Sequence, residues 1–226
     1  MNPLAEDLSD VLSETKPLWE ELRNARIFIT GGTGFFGCWL LETFAWANEH
    51  LSLNARAVVL TREAEKFRRK APHLADLPAV YLHEGDVRDF DFPSGDFTHA
   101  VHAAAESSTT LNSTHPHLML DTIVRGTQRC LDFAKAKGVK KFLFVSSGAV
   151  YGAQPAGLSH IPETYSAGPE PLAPESAYAE GKRMAELQCA LAANSGVPET
   201  KIARCFAFVG PYLPLDAHFA IGNFIR

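Results

Sequence analysis

Residues 26–37 read Arg26-Ile27-Phe28-Ile29-Thr30-Gly31-Gly32-Thr33-Gly34-Phe35-Phe36-Gly37. The first five are β-branched or aromatic enough to form a short strand. Glycines follow at once, and then comes the apolar, helix-length run FFGCWLLETFAWANEH. In this context a spacing of Gly31, Gly34 and Gly37, or equally Gly32, Gly34 and Gly37, carries chemistry. A tight turn must leave the strand, the backbone must approach phosphates with no side chain in the way, and the helix must pack closely on the sheet. The helix start then offers free N–H groups and a partial positive charge to a pyrophosphate. Gly31, Thr33, Gly34, Phe35, Phe36 and Gly37 are the candidate dinucleotide-binding residues. Phe35 and Phe36 either cover the pyrophosphate or only pack the helix.

The same unit recurs along the chain. Strands are predicted at Ala55–Thr61, near AVYLHEGDV with an end at His83, at Thr98–Ala105, at Lys140–Ser147 and at Lys201–Gly210. Helical spacing fills the gaps, from Glu63 onward, over His117–Lys137 with Gly138 as its stop, and over Ser176–Ala193. Strands alternating with helices predict an α/β fold, a doubly wound parallel sheet with helices on both faces. Residues 1–25 form a helical extension of one or two short helices, interrupted at Pro17. Residues 26–210 form the nucleotide-binding Rossmann domain, and residues 211–226 open a substrate-binding region. The Pro-, Gly- and Ser-rich stretch 154–174 is long for a plain connection, and such loops are often functional.

Composition removes several function classes. The chain has 226 residues, 46% of them hydrophobic, and a formal net charge of −5, so a sizeable core is available and a nucleic-acid-binding surface is not expected. The one basic cluster, Lys66, Arg68, Arg69 and Lys70, reads as a solvated helix face. No apolar run is long enough to span a bilayer, and the acidic N-terminus does not resemble a secretion signal. Cys38, Cys130, Cys189 and Cys205 stand singly in apolar runs, which predicts reduced, buried thiols in a cytoplasmic protein. His99 and His102 fall on opposite faces of a predicted strand, so no metal site is expected from the histidines.

The end of the second strand sets cofactor choice. An acidic residue there commonly binds the ribose hydroxyls. Here the position is Thr61, and Arg62 follows. Arg62 can pair with a 2′-phosphate, admitting NADP, or lie solvated over the adenine. Asp86 and Val87, past the third strand, either contact the adenine or only form a turn. Glu106, Ser107 and Ser108 follow the C-terminal end of a parallel strand, where ligands bind in such sheets, and either supply a substrate contact or only play a capping role.

Tyr178-Ala179-Glu180-Gly181-Lys182 puts a phenol and an ammonium on one helix face. A phenol with a pKa of about 10 is a poor base at neutral pH. A neighbouring cation favours the phenolate, so Tyr178 can take a proton from a hydroxyl as hydride leaves its carbon. Ser147, at the end of a strand, can hydrogen-bond the same oxygen.

The segments FITGGTGFFG, GDVRDF, HAAAESS, VRGT, FVSSGAVYG, YAEGK and RCFAFVGP occur in an order that resembles the extended short-chain dehydrogenases of the NAD-dependent epimerase/dehydratase family. The resemblance implies NAD or NADP as cofactor, a nucleotide sugar as substrate, and Ser147, Tyr178 and Lys182 as the catalytic residues. By the same resemblance Ala103, Ala104 and Ala105 line the nicotinamide, Asn223 lies near the sugar-nucleotide diphosphate, and the two long helices pair two copies in a four-helix interface. Dehydratases of the family carry acids directly after the catalytic hydroxyl, and decarboxylases carry one two places after it. Here those residues are Gly148 and Ala149. Ala207 and Ile123 replace two family asparagines. The departures point to redox at a sugar carbon, as in an epimerase or reductase, with dehydratase, decarboxylase or a catalytically weak cofactor-binding module as alternatives. Family members continue into a smaller domain that completes the cleft, so the expectation is a substrate domain truncated at Arg226.

Overall fold

In chain order the elements are α1 (Ala5–Trp19), β1 (Arg26–Thr30), α2 (Phe35–His50), β2 (Arg56–Thr61), α3 (Ala64–Lys70), α4 (Pro72–Ala75), β3 (Val80–Glu84), β4 (His99–His102), α5 (Thr109–Thr114), α6 (Pro116–Ala136), β5 (Lys141–Ser147), α7 (Ala177–Asn194) and β6 (Glu199–Cys205). This computed structural model describes residues 2–105, 109–196, 198–215 and 224. The six strands form one sheet in the order β3-β2-β1-β4-β5-β6, every neighbouring pair parallel. The order reverses direction between β1 and β4, the switch point where such sheets open a crevice at their carboxyl ends.

Strand alternation sorts the side chains into two cores. Phe28, Val58, Leu60, Phe142 and Phe144 point to the face covered by α6 and α7. Ile27, Ile29, Ala57 and Val59 point to the face covered by α2 and the α3–α4 segment. The first core is built round an aromatic nest in which Phe133 of α6 meets Phe28 at 4.2 Å and Phe97 at 5.0 Å. Each such ring contributes roughly 1.5–3 kcal/mol by leaving water. Gly181 lets α7 lie close on α6, because a Cβ there would stand 3.2 Å from Ile123.

Several expected boundaries move. The strand expected over Thr98–Ala105 keeps only His99–His102. Ala103 N still reaches the Thr30 carbonyl, but Ala104 N turns to the Thr30 hydroxyl at 3.1 Å, and the chain leaves the sheet. The strand expected over Lys201–Gly210 stops at Cys205. Beyond it Phe206 packs on Gly148 and Phe208 stacks on Phe36, so side-chain packing across the cleft replaces strand pairing. The N-terminal segment is one α-helix that runs through Pro17, followed by a 3-10 turn at Glu20–Leu22. Pro17 lies in the last turn and deprives only the Ser13 carbonyl, at an exposed position, of its partner. His99 and His102 do face opposite ways, His99 toward Glu21 and His102 toward Phe142 and Phe144 of the first core. All four cysteines are free thiols, and Cys205, at the mouth of the cleft, is only partly buried. No helix among the described residues is long and apolar enough to cross a membrane.

Candidate active site

At the carboxyl ends of the strands lies a cleft of about 530 Å³. Gly31, Thr33, Gly34, Phe35, Phe36 and Gly37 line it from the β1–α2 turn. Thr61, Arg62, Asp86 and Val87 line it from the ends of β2 and β3, Ala103, Ala104 and Ala105 from the end of β4, and Ser147, Tyr178 and Lys182 from β5 and α7. Glu106, Ser107, Ser108 and Asn223 lie outside the described residues.

The glycines divide by the reason for their lack of a side chain. A Cβ on Gly31, whose φ is +73°, would stand 2.6 Å from the backbone of Ala103 and Ala104. A Cβ on Gly37 would stand 2.2 Å from the Gly31 carbonyl, which fixes how closely α2 meets the turn. Gly34 is different. Its Cβ would meet only the Gly31 carbonyl, at the ordinary distance of 3.4 Å. Nothing in the protein requires glycine there, and the open space lies at the start of α2, where backbone N–H groups favour an anion. The turn therefore fits a pyrophosphate.

At the other side of the switch point a neutral ring holds the frame. His102 is fully buried, which pushes its pKa down to about 3. It bridges Thr30 Oγ1 at 2.7 Å and Thr127 Oγ1 at 3.0 Å, tying β1, β4 and α6. Because Thr30 also receives Ala104 N, this bridge sets the path of Ala103–Ala105 along the cleft.

Asp86 lines the cleft and also makes the bonds of a turn residue. Its carboxylate accepts from the backbone and guanidinium of Arg88 at 2.8–3.0 Å, and these bonds hold its pKa below the usual range. Its charge also acts with that of Arg62. Thr61 is buried and accepts from Glu63 N at 3.3 Å.

Tyr178 and Ser147 stand together. Burial raises the Tyr178 pKa, and the Ser147 hydroxyl draws it part of the way back. Ser147 Oγ also accepts from Ala149 N at 3.2 Å, which fixes the hydroxyl at the end of β5. Lys182 departs from the sequence expectation. Its ammonium donates to the Val145 carbonyl at 2.7 Å and lies 4.7 Å from the centre of the Phe144 ring. Burial lowers its pKa to about 8. In this arrangement it anchors α7 to β5, and the Tyr178 phenol answers to burial and to Ser147 instead.

One supporting network was not foreseen. Ser146 Oγ donates to Glu186 Oε1 at 2.6 Å, and Arg204 pairs with Glu186 at 2.7 Å. Arg204 also donates to the Tyr151 hydroxyl at 2.9 Å and to the Glu163 carbonyl at 3.0 Å. The network ties β5, β6, α7 and the 3-10 turn Gly148–Tyr151 behind the three catalytic candidates. The available signal was Glu186, one turn beyond Lys182 on the same helix face. Cys205, Phe206, Phe208 and Pro214 also line the cleft and are not among the residues expected there from the sequence. Their segment folds back over α2, where Trp39 Nε1 donates to the Pro211 carbonyl at 3.1 Å and Tyr212 reaches the buried Glu42. The long loop expected to be functional borders a different feature. Tyr165, Ser166 and Pro171 flank a groove of about 1180 Å³ along α6 and α7.

The profile of the NAD dependent epimerase/dehydratase family matches residues 27–225. UDP-glucuronic acid decarboxylase 1 of Arabidopsis thaliana is 31% identical over 205 residues, which cover 90% of this chain and 44% of that protein. A crystal structure of UDP-galactose 4-epimerase superposes with a TM-score of 0.70 at 29% identity, over 88% of this chain and 61% of that one. DesIV, the dTDP-glucose 4,6-dehydratase of Streptomyces venezuelae solved with NAD and TYD bound, superposes with a TM-score of 0.67 at 26% identity, over 83% of this chain and 57% of that one. The chain spans about half the length of the curated relatives it matches, 44% and 56% for two of them. With the match running through the glycine turn, the switch point and the Ser147–Tyr178–Lys182 cleft, the chain belongs to the NAD dependent epimerase/dehydratase family.

Proposed function

We propose that the chain is the cofactor-binding part of an oxidoreductase or epimerase that acts on a nucleotide-activated sugar with NAD or NADP. The observation that carries this reading is the continuity of one cleft from the glycine turn to Ser147, Tyr178 and Lys182. Residues 26–210 bind the cofactor, and residues 211–226 begin the substrate region. The Gly31–Gly37 turn takes the pyrophosphate on its N–H groups, Thr61 and Arg62 face the adenosine ribose, and Ala103–Ala105 flank the nicotinamide. When bound, the nicotinamide supplies a hydride acceptor. Ser147 holds the sugar oxygen by a hydrogen bond. Tyr178 exchanges a proton with that oxygen: as the phenolate it takes the hydroxyl proton when the carbon is oxidised, and as the phenol, the form that burial favours, it returns the proton when the carbonyl is reduced. Lys182 remains a cation at neutral pH and fixes the helix that carries Tyr178.

A second reading, dehydratase or decarboxylase, draws on the 31% identity to a UDP-glucuronic acid decarboxylase. Elimination needs an acid beside the reacting carbon. Among the described residues lining the cleft, Asp86 is the one carboxylate, and Arg88 holds it at the adenine end. The first reading is therefore preferred. Two copies pair through α6 and α7, and the free thiols fit a reducing, cytoplasmic setting.

Melting of the chain with NAD, NADH, NADP and NADPH tests cofactor binding, because a ligand that binds only the folded state raises the melting temperature. At least one pair is expected to do so. Incubation of the loaded chain with UDP-glucose, UDP-glucuronate and dTDP-glucose, read by product mass, separates the chemistries. Unchanged mass with a new stereoisomer, or a two-hydrogen change, supports the first reading. Loss of water or carbon dioxide establishes the second. No shift with any of the four cofactors removes both.

A further inference from the structure

Glu42 of α2 is a carboxylate left only 3% exposed. A charge taken out of water is costly unless hydrogen-bond donors replace the water. Glu42 draws its donors from three separate parts of the chain. The Tyr212 hydroxyl and the His73 ring, the latter 2.8 Å away, both meet Oε1, and Asn2 Nδ2 meets Oε2 at 3.3 Å. His73 belongs to α4, Asn2 precedes α1, and Tyr212 lies beyond β6. None of these four residues is among those that line the cleft.

Tyr212 carries a backbone cost. Its φ is +72°, the left-handed region that a residue with a side chain enters rarely. Burial, and then Glu42, raise the pKa of its phenol, so the hydroxyl keeps its proton and remains a donor. Tyr212 is also the far point of a strap laid along α2. Phe208 stacks on Phe36 at 5.3 Å, Trp39 Nε1 donates to the Pro211 carbonyl at 3.1 Å, and Tyr212 meets Glu42. Phe36, Trp39 and Glu42 follow one another at helical spacing on one face of α2. A turn closed by Leu213 N on the Gly210 carbonyl at 3.2 Å then sends the chain back, and Pro214 lines the cleft, as Phe208 and Phe36 do. The two cleft-lining residues of the strap thus flank, in sequence, the turn that Glu42 holds.

We propose that Glu42 is a positioning residue for the cofactor: by holding Tyr212 it fixes the turn Gly210–Leu213 on α2, and so keeps Phe208 and Pro214 at the glycine-turn end of the cleft, where they slow release of the dinucleotide. Glu42 acts through the strap and touches no cofactor atom. A buried carboxylate suits the task, because lifting Tyr212 away takes a donor from a charge that is out of water. The proposal rests on the reading of the cleft as a dinucleotide site.

The chain is loaded with NADH and chased with excess NAD, and the change in NADH fluorescence gives the dissociation rate. Tyr212→Phe keeps the ring and removes the donor. It is expected to raise that rate about threefold to tenfold and to leave the association rate within about twofold. Hydrogen exchange in residues 206–214 is expected to quicken in the same variant. Trp39→Phe removes the neighbouring tie and is expected to act in the same direction. Asn2→Ala takes a donor from the other oxygen of Glu42 without touching the strap. It is expected to lower the melting temperature and leave the NADH dissociation rate unchanged. An unchanged dissociation rate in Tyr212→Phe overturns the latch, whether or not hydrogen exchange quickens. Equal acceleration in Asn2→Ala and Tyr212→Phe overturns it too, because Glu42 then acts through general stability. No NADH binding by the unmodified chain overturns the dinucleotide reading, and the latch with it.

Discussion

Lys182 is where function and stability pull apart. Its ammonium is buried, and burial lowers its pKa to about 8 from an ordinary 10.5. The unfolded chain therefore binds more protons than the folded one between about pH 8 and 10.5, so this residue makes stability rise with pH across that window. Below about pH 8 both states are protonated, and the cost of burying the cation is present in full, on the order of 3 kcal/mol. Lys182→Met keeps the aliphatic stem and removes the charge. It is expected to raise the melting temperature at pH 7 relative to the unmodified chain and to lose most of that advantage by pH 10, while catalysis falls. Equal melting differences at both pH values would show that the Val145 hydrogen bond, rather than the buried charge, dominates. Arg62 is where the proposed choice between two cofactors is tested. It lines the cleft beside Thr61 at the end of β2, and its charge acts on Asp86. Arg62→Leu is expected to reduce the melting shift given by NADPH and leave that of NADH nearly unchanged. An equal reduction for both would place Arg62 over the adenine.

At the scale of elements the β1–α2 turn separates structural glycine from ligand-serving glycine. Gly37→Ala drives a methyl into the Gly31 carbonyl, a backbone atom that cannot swing aside. It is expected to cost about 1–3 kcal/mol of stability. Gly34→Ala meets no such contact and sits at φ −77° and ψ −174°, which alanine adopts freely. It is expected to cost under about 1 kcal/mol in the fold, through the helix start, and to weaken cofactor binding at least tenfold. Chemical denaturation and cofactor titration on the two variants read the two effects separately. A Gly34→Ala chain with unimpaired cofactor affinity would remove the pyrophosphate from this turn. The same element shows what sequence can disclose. A strand, its glycine turn and its helix are contiguous, so local pattern carries them whole. The end of β4 is not local, because it depends on the Thr30 hydroxyl capturing Ala104 N from 74 residues away. The end of β6 depends on Phe206 reaching Gly148 and Phe208 reaching Phe36. Ser146 and Glu186 are 40 residues apart, and their bond exists only because β5 and α7 are packed together. Tyr178 and Ser147 were legible as residues. That Lys182 turns to Val145 was not, since only the packed core decides which acceptor a buried ammonium reaches.

Among the described residues, α6 and α7 form an apolar face that the chain leaves uncovered. α6 and α7 pack on the sheet through Met119, Ile123, Phe133, Ala185 and Cys189, and present Leu118, Leu120, Met184, Leu187 and Leu191 outward. Leu187 is 53% and Leu191 61% exposed, and the groove along the two helices is flanked by Arg183, Glu186 and Arg204. A contiguous apolar helix face with a polar rim is the surface expected of an association site. An isologous pairing sets α6 and α7 of one copy against those of the second, which makes a four-helix contact about a two-fold axis. The same face touches the chemistry, because Glu186 and Arg204 border the groove on one side and brace Ser146 and Tyr151 on the other. Pairing of this kind would hold the wall on which Ser147 stands. Leu187→Glu places a charge at the centre of the face without touching the cleft. It is expected to convert a dimer mass to a monomer mass in light scattering, and to weaken substrate turnover more than cofactor binding. A monomer mass for the unmodified chain at micromolar concentration would show that the face has another use. A dimer that survives Leu187→Glu would move the interface off these helices, and the brace through Glu186 and Arg204 would then act within a single copy.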